Sequence, residues 1–321
     1  MTTPGPGIRW REAARAAQWE ARRWAYVDLG GGAENTVFIA GSGRSGTTWV
    51  EEVVDRHHDH RVMFEPFFPR QVPQLGAMVE GLYLRNDVAD PRYVEPVARV
   101  LEGRLRNRWV DHLNRVRIAR KRLIKEIRAN CWLGWAARRW PHMPMVFVMR
   151  HPLAVATSSL GMGWSDGLDR VLAQPELVAD HCAEHTDFLR ALSDPLERAV
   201  ARWCVENIVP MRTLGPTRAT LLLYEDLVAQ PQREAGRLLS AFGQLPDDAL
   251  TSALVRPSHL SAGGSAATTG ASPVTAWRER LDPSQRARAV RVIEQLGFGD
   301  VYGDDPWPDS AAAHAKWARA T

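Results

Sequence analysis

The sequence predicts an α/β fold, a central and mostly parallel sheet flanked by helices, and three observations carry that expectation. Short apolar, β-branched runs alternate with longer helical stretches along the chain. Thr36 to Val50 reads as a strand, a glycine-rich turn and then a helix that opens on two hydroxyl residues. Met145–Met149 is an unbroken apolar run, as a strand buried on both faces requires.

Taken in order, strands are expected at Thr36–Ala40, Arg61–Phe64, Leu123–Lys125, Pro144–Met149 and Thr220–Tyr224. Each is a short apolar or β-branched run bounded by polar or turn residues. Helices are expected at Thr47–His57, Glu95–Arg120, Trp132–Arg139, Pro152–Leu160, Leu177–Leu192, Pro195–Thr213, Pro231–Phe242 and Pro283–Leu296. Proline opens four of these, at the first helical position, where its missing N–H costs nothing. Asp226 is a candidate cap for a short helix just before Pro231. Ser258–Ser272 is too small-residued and polar for a core and reads as a mobile loop. The expected organisation is an N-terminal helical extension over 1–35, one domain over 36–300 with a mobile segment at 258–280, and a C-terminal tail over 301–321.

The turn after the first strand, Gly41-Ser42-Gly43-Arg44-Ser45-Gly46-Thr47-Thr48, is one residue from the nucleotide-triphosphatase loop. Backbone N–H groups and the positive helix end converge there on an anion. Thr47 stands where a lysine would reach the β/γ-phosphates, and the nearest cation is Arg44. The loop is therefore suited to phosphate but not to ATP.

Arg44-Ser45-Gly46-Thr47-Thr48-Trp49 resembles the Lys/Arg-Ser-Gly-Thr-Thr-Trp loop of the sulfotransferases that use 3′-phosphoadenosine 5′-phosphosulfate (PAPS). A second likeness lies about 100 residues on. Arg150-His151-Pro152 through Ser158 is similar to the segment with which that family reads the 3′-phosphate of its cofactor. A planar bidentate donor suits a phosphomonoester dianion. A third, Tyr224-Glu225-Asp226-Leu227, resembles the Y-E-D-L segment after a core strand. The resemblance spans roughly Thr36–Gly243. It implies a P-loop nucleotide-hydrolase-like sulfotransferase fold, with cofactor contacts from Gly43, Arg44, Ser45, Gly46, Thr47, Thr48, Trp49, Arg150, Ser158 and Tyr224. The family's Arg-Lys-Gly tripeptide is absent near Trp277-Arg278, within the segment that would cover the nucleotide.

In-line sulfuryl transfer is carried mainly by positioning and by charge stabilisation. Arg44 and the loop N–H groups are placed to meet charge on the bridging oxygen. The acceptor hydroxyl needs a base. Phe64-Glu65-Pro66 resembles a segment of carbohydrate sulfotransferases and makes Glu65 the candidate. The histidine-base cytosolic enzymes keep a histidine shortly after a lysine, whereas this chain has Lys125-Glu126-Ile127. Lys125 is expected to orient the sulfuryl group, with Glu126 and His151 next in line as bases.

Composition narrows the rest. No apolar stretch is long enough to span a membrane, and the N-terminus lacks the apolar core of a signal peptide. Cys131, Cys182 and Cys204 form no C-x-x-C pair. The expectations are a cytoplasmic enzyme, no metal, no membrane and no nucleic-acid partner. Its acceptor is expected to be a hydroxyl of a small molecule or carbohydrate, and its product adenosine 3′,5′-bisphosphate. His57, His58 and His60, at a helix end, suit the negative helix pole better than an ion. Ten Lys or Arg between Arg104 and Arg128 face only Asp111 and Glu126. They are read as the solvated face of a helix whose apolar stripe is Leu101, Leu105, Val110, Leu113, Val116 and Ile118. Thirteen tryptophans are many for this length, and Trp132, Trp135, Trp140 and Trp164 are candidates for an acceptor wall. A small-molecule kinase and a noncatalytic polyanion binder are the competing readings.

Overall fold

The computed structural model describes residues 25–255 and 272–320. The N-terminal extension before residue 25 and residues 258–271 of the mobile segment expected over 258–280 lie outside the described residues. Residues 272–280 form turns and a 3-10 segment in which Val274 and Trp277 are buried, so this part is packed rather than mobile.

The expected sheet is present and wholly parallel. Strands β2 (Thr36–Gly41), β3 (Arg61–Phe64), β5 (Arg122–Glu126), β6 (Met145–Met149) and β7 (Thr220–Leu223) pair in the order β3-β5-β2-β6-β7. Two-residue strands β1 (Val27–Asp28) and β4 (Ile118–Ala119), which no pattern in the sequence marks, form a separate parallel pair. A parallel sheet must be covered on both faces, and β2 shows how the sequence meets that demand. Phe38 and Ala40 enter the larger core, with the 133–139, 152–161 and 195–213 helices. Val37 and Ile39 enter a second core, with the 47–54 and 231–241 helices.

The order changes direction at β2: the chain crosses to β3 on one side and later to β6 on the other. A cleft therefore opens at the carboxyl end of β2, the switch point where open α/β sheets bind ligands. The glycine-rich loop leaves the sheet there.

Buried charge ties the opposite edge together. Arg61 begins β3 and is fully buried, reaching Asp28 at 2.9 Å, Asp111 at 2.9 Å and the carbonyl of Gly103 at 2.6 Å. Arg122 begins β5 and binds the Gly31 carbonyl at 2.6 Å. These arginines draw 26–31 and 103–111 onto the amino edge of the sheet. Leaving either carboxylate or guanidinium unpaired there would cost about 3–5 kcal/mol.

Several expectations need correction. The helix expected over Glu95–Arg120 is only Pro91–Leu101. Gly103 then takes a left-handed φ of 71°, and turns lead on to β4. The basic run is therefore not one solvated helix face. Arg122 and Lys125 are buried in β5, Arg106 lies over the Tyr26 ring, and Arg115 reaches His58. The expected Leu177–Leu192 helix is interrupted by a π turn at Val178–Cys182 and a 3-10 turn at Ala183–His185. Asp226 caps nothing; it sits inside the Tyr224–Ala229 helix and accepts a bond from Ser310 Oγ at 2.7 Å. Residues 25–35 hold β1 and a 3-10 turn rather than a helix. Residues 301–320, expected as a tail, include the helix Ser310–Ala318. Its Trp317 is buried and stacks on Phe147 of β6, with ring centroids 6.0 Å apart.

Trp317→Ala should therefore act as a core deletion, lowering unfolding free energy by about 3–5 kcal/mol in urea titrations. A loss of about 0.5 kcal/mol or less would show the segment to be peripheral.

Candidate active site

The loop after β2 is shaped by close contacts. Gly46 has a left-handed φ of 89°, and a Cβ there would lie 2.4 Å from the Tyr224 ring, so only glycine fits. Gly46 is also the N-cap of the Thr47–Val54 helix and offers no side-chain oxygen to its first N–H groups. Those donors remain for an anion. Ser42 Oγ anchors the loop from below by accepting bonds from Asn130 Nδ2 at 3.3 Å and Asn207 Nδ2 at 3.0 Å. Neither asparagine is legible as a site residue in the sequence, because their partners are 88 and 165 residues away.

The two arginines singled out in the sequence meet here. Arg150 donates to the Arg44 carbonyl at 2.8 Å and the Pro273 carbonyl at 2.6 Å, with its guanidinium 4.3 Å from the centre of the Tyr224 ring. Arg44 donates from Nε to Ser158 Oγ at 3.0 Å. Both side chains have partners in the fold: Ser158 Oγ accepts from Arg44, and Arg150 donates to backbone carbonyls. Burial, with the like charge of Arg150 beside it, lowers the Arg44 pKa from its usual range. Among the described residues neither guanidinium has a carboxylate within ion-pair distance. Arg44 also holds a left-handed φ of 71°. Such a conformation costs about 1–3 kcal/mol and persists only where its surroundings impose it. Ser45 Oγ, Trp49 Nε1 and Arg150 Nε are buried without hydrogen-bond partners. Orphaned donors and two uncompensated cations suit a multiply charged anion. The Trp49 ring packs edge-on to Tyr224, with centroids 6.0 Å apart. Tyr224 thus touches Gly46, Trp49 and Arg150 together.

A second cluster lies at the ends of β3 and β5. Glu65 has a left-handed φ of 42°, and its oxygens are held by Lys125 Nζ at 2.5 Å and Arg128 Nη1 at 2.8 Å. Burial pushes its carboxyl up, but Lys125 and Arg128 outweigh that and hold it below the ordinary carboxylate range. The sequence reading missed Arg128, which lies three residues beyond Lys125 and stacks over Phe68 at 4.0 Å.

The alternative bases are otherwise engaged. Glu126 is fully buried and accepts from the N–H groups of Phe67, Ile127 and Arg128 at 2.8–3.0 Å, so it shapes the two loops. His151 caps its helix through Nδ1, faces the Gly303 carbonyl through Nε2 and stacks on Trp277 at 4.7 Å. Burial lowers its pKa to about 4, so it stays neutral. Glu225, at full burial, is pushed up to about 7 and accepts from the His151 N–H. Among the tryptophans, Trp132 and Trp135 are core, with 1% exposure each, and form no acceptor wall. Trp164 is different: its ring lies 2.7 Å from where a Gly43 Cβ would stand, with Ile127 beside it.

His60 is buried between Asp55 and Asp59, each 2.9 Å from Nδ1, and Lys121 pairs with Asp59 at 2.6 Å. The three could supply one ligand atom each, but the histidine proton and the ammonium already meet the carboxylates.

Arg128→Gln removes one of the cations that hold Glu65 ionised. The protonated form gains, so the Glu65 pKa rises and its base form is lost at higher pH. The acid limb of a pH–rate profile should move upward, and an unmoved limb would detach Arg128 from Glu65.

A sequence model described as "Sulfotransferase family" matches residues 36–248. Among solved structures, the chain is similar to the sulfotransferase domain from the curacin biosynthetic pathway, at 17% identity over 85% of this chain and 99% of that one, with a TM-score of 0.44. It is also similar to the sulfotransferase domain of the Synechococcus PCC 7002 olefin synthase, at 15% identity, 81% and 94% coverage and a TM-score of 0.39. A sulfotransferase from Alicyclobacillus acidocaldarius matches at 15% identity, 80% and 95% coverage and a TM-score of 0.37. No curated protein sequence matches. No helix among the described residues is long and apolar enough to cross a membrane.

Proposed function

The chain belongs to the sulfotransferase family and is an enzyme of sulfuryl transfer; from that premise we propose that its donor is PAPS and its acceptor a hydroxyl of a carbohydrate or glycosylated small molecule. The observation that carries the donor reading is the pairing of Arg44 with Arg150. The Arg150 guanidinium reaches the Arg44 carbonyl across 106 residues of sequence, beside an uncapped helix N-terminus, and among the described residues neither guanidinium has a carboxylate within ion-pair distance. A nucleotide with a 3′-phosphate and a 5′-phosphosulfate supplies the missing negative charge and, when bound, an activated sulfuryl group.

In this reading Gly43, Ser45, Gly46, Thr47 and Thr48 cradle the 5′-phosphosulfate with backbone N–H groups and hydroxyls. Arg44 stabilises the charge that grows as the nucleotide leaves. Arg150 exchanges its carbonyl partners for the 3′-phosphate, with Ser158 beside it. Trp49 and Tyr224 form the aromatic side of the nucleotide site. Glu65 takes the acceptor proton. Lys125, at 2.5 Å from Glu65, orients the transferred group and keeps the base ionised. The F-E-P setting of Glu65 and the missing histidine support a carbohydrate-type acceptor. The cytoplasm is the compartment that fits three free cysteines.

Calorimetry without magnesium should show adenosine 3′,5′-bisphosphate binding more tightly than ADP. Arg150→Ala should erase that preference, weakening the bisphosphate by about 10–100-fold, the worth of one or two charge-assisted bonds. Equal or better ADP binding by the wild type would return the loop to the kinase class. Glu65→Gln should lower turnover by about 10²–10⁴-fold with nucleotide affinity nearly unchanged. Full activity in that variant would place the base elsewhere.

A further inference from the structure

A cavity of about 220 Å³ lies apart from the nucleotide loop, between the Leu133–Arg139 helix and the C-terminal half of the Pro195–Thr213 helix. Leu84, Cys131, Trp135 and Val209 form its buried walls, none more than 5% exposed. Gly134 adds no side chain to that wall. Its mouth is closed in part by the Arg85–Asp180 pair, bidentate at 2.6 and 2.8 Å. Tyr83 OH donates to the same carboxylate at 2.8 Å.

Most polar groups around this space are already spent; the exception is the Asn86 amide, whose Oδ1 lies 3.0 Å from where a Gly134 Cβ would stand. Thr213 Oγ1 donates to the Val209 carbonyl at 2.8 Å, and Trp135 Nε1 to the Val88 carbonyl at 2.7 Å. Arg85 and Asp180 neutralise each other at the rim. The cavity thus offers apolar contact inside, one neutral amide and no free charge. An apolar cavity of about 150 Å³ is enough to bind benzene.

A second observation concerns the backbone. Val178–Cys182 is a π turn, in a stretch where the sequence pattern runs as plain helix. Single π turns within helices are frequent at functional sites. Here it carries Asp180, the residue that fastens the mouth to Tyr83 and Arg85.

We infer that this cavity is a second ligand site, which takes a neutral aromatic molecule of one or two rings with its edge toward Asp180. Charged ligands are excluded by the spent rim, and long aliphatic chains by the volume. The walls also continue into the supports of the phosphate loop. Asn130 precedes Cys131 and Asn207 lies two residues before Val209, and both donate to Ser42.

Indole and phenol serve as the probes, titrated by calorimetry into the full-length protein. Saturable one-to-one binding in the micromolar to millimolar range is expected. Val209→Phe fills the cavity from within, and Asn86→Trp fills it from the half-buried loop at its mouth. Each should weaken indole by at least about 10-fold while adenosine 3′,5′-bisphosphate binds within about twofold of wild type. Should the core variant fail to fold, Asn86→Trp alone decides the matter. No saturable binding by the wild type overturns the inference. Undiminished binding in a folded, filled variant does so too.

Discussion

Everything functional in this protein depends on one constraint, that its main sheet is wholly parallel. Parallel strands share one carboxyl edge, and each returns to the opposite edge through a crossover. The glycine-rich loop after β2, Glu65 after β3, Lys125 and Arg128 at the end of β5, Arg150 after β6 and Tyr224 after β7 therefore rise from the same edge. Residues almost 200 positions apart become neighbours without any long loop having to carry them there. The cost is burial on both faces, met by two separate cores, and a polar amino edge that has to be closed by the buried arginines of β3 and β5.

At the carboxyl edge the arrangement divides into two electrostatic regions of opposite logic. Around Arg44 and Arg150, positive charge accumulates with no carboxylate at ion-pair distance among the described residues and is borne by backbone carbonyls, a hydroxyl and an aromatic face. Around Glu65, one carboxylate is shared by two cations. The first region carries an excess of positive charge, while the second is balanced as it stands. A balanced base is a weak base in the resting protein, and it gains basicity only where another anion draws Lys125 or Arg128 away. In the reading proposed above, a donor held next to Lys125 would do that, coupling the two halves of the site through charge.

The strain in the site follows the same division. Three non-glycine residues among those described have left-handed backbones, and two of them are Arg44 and Glu65. Each is pinned by its own side-chain bonds, so that the backbone conformation and the aim of the charged group are one decision. Tyr224 plays the corresponding part for the loop glycine, filling the volume that a Cβ at Gly46 would need.

The sequence by itself determined the sheet, its five strands to within about a residue at each end, and the glycine-rich turn, because each rests on local signals: apolar period, glycine spacing and a proline at a helix start; both arginines were singled out by the likeness to a family. It also pointed to Glu65 and Lys125. The tertiary structure alone decided what those residues touch. The bond from Arg44 to Ser158, the second cation on Glu65, the asparagines under Ser42 and the stack of Trp317 on Phe147 all join positions far apart in the chain. The helix expected over 95–120 failed for a related reason: of its apolar stripe Leu101, Leu105 and Val110 are buried, the last two by turns fastened to Arg61, while Ile118 is exposed. Periodicity reports which side chains leave water, whereas the partner that receives them is set by topology, and no local pattern encodes it.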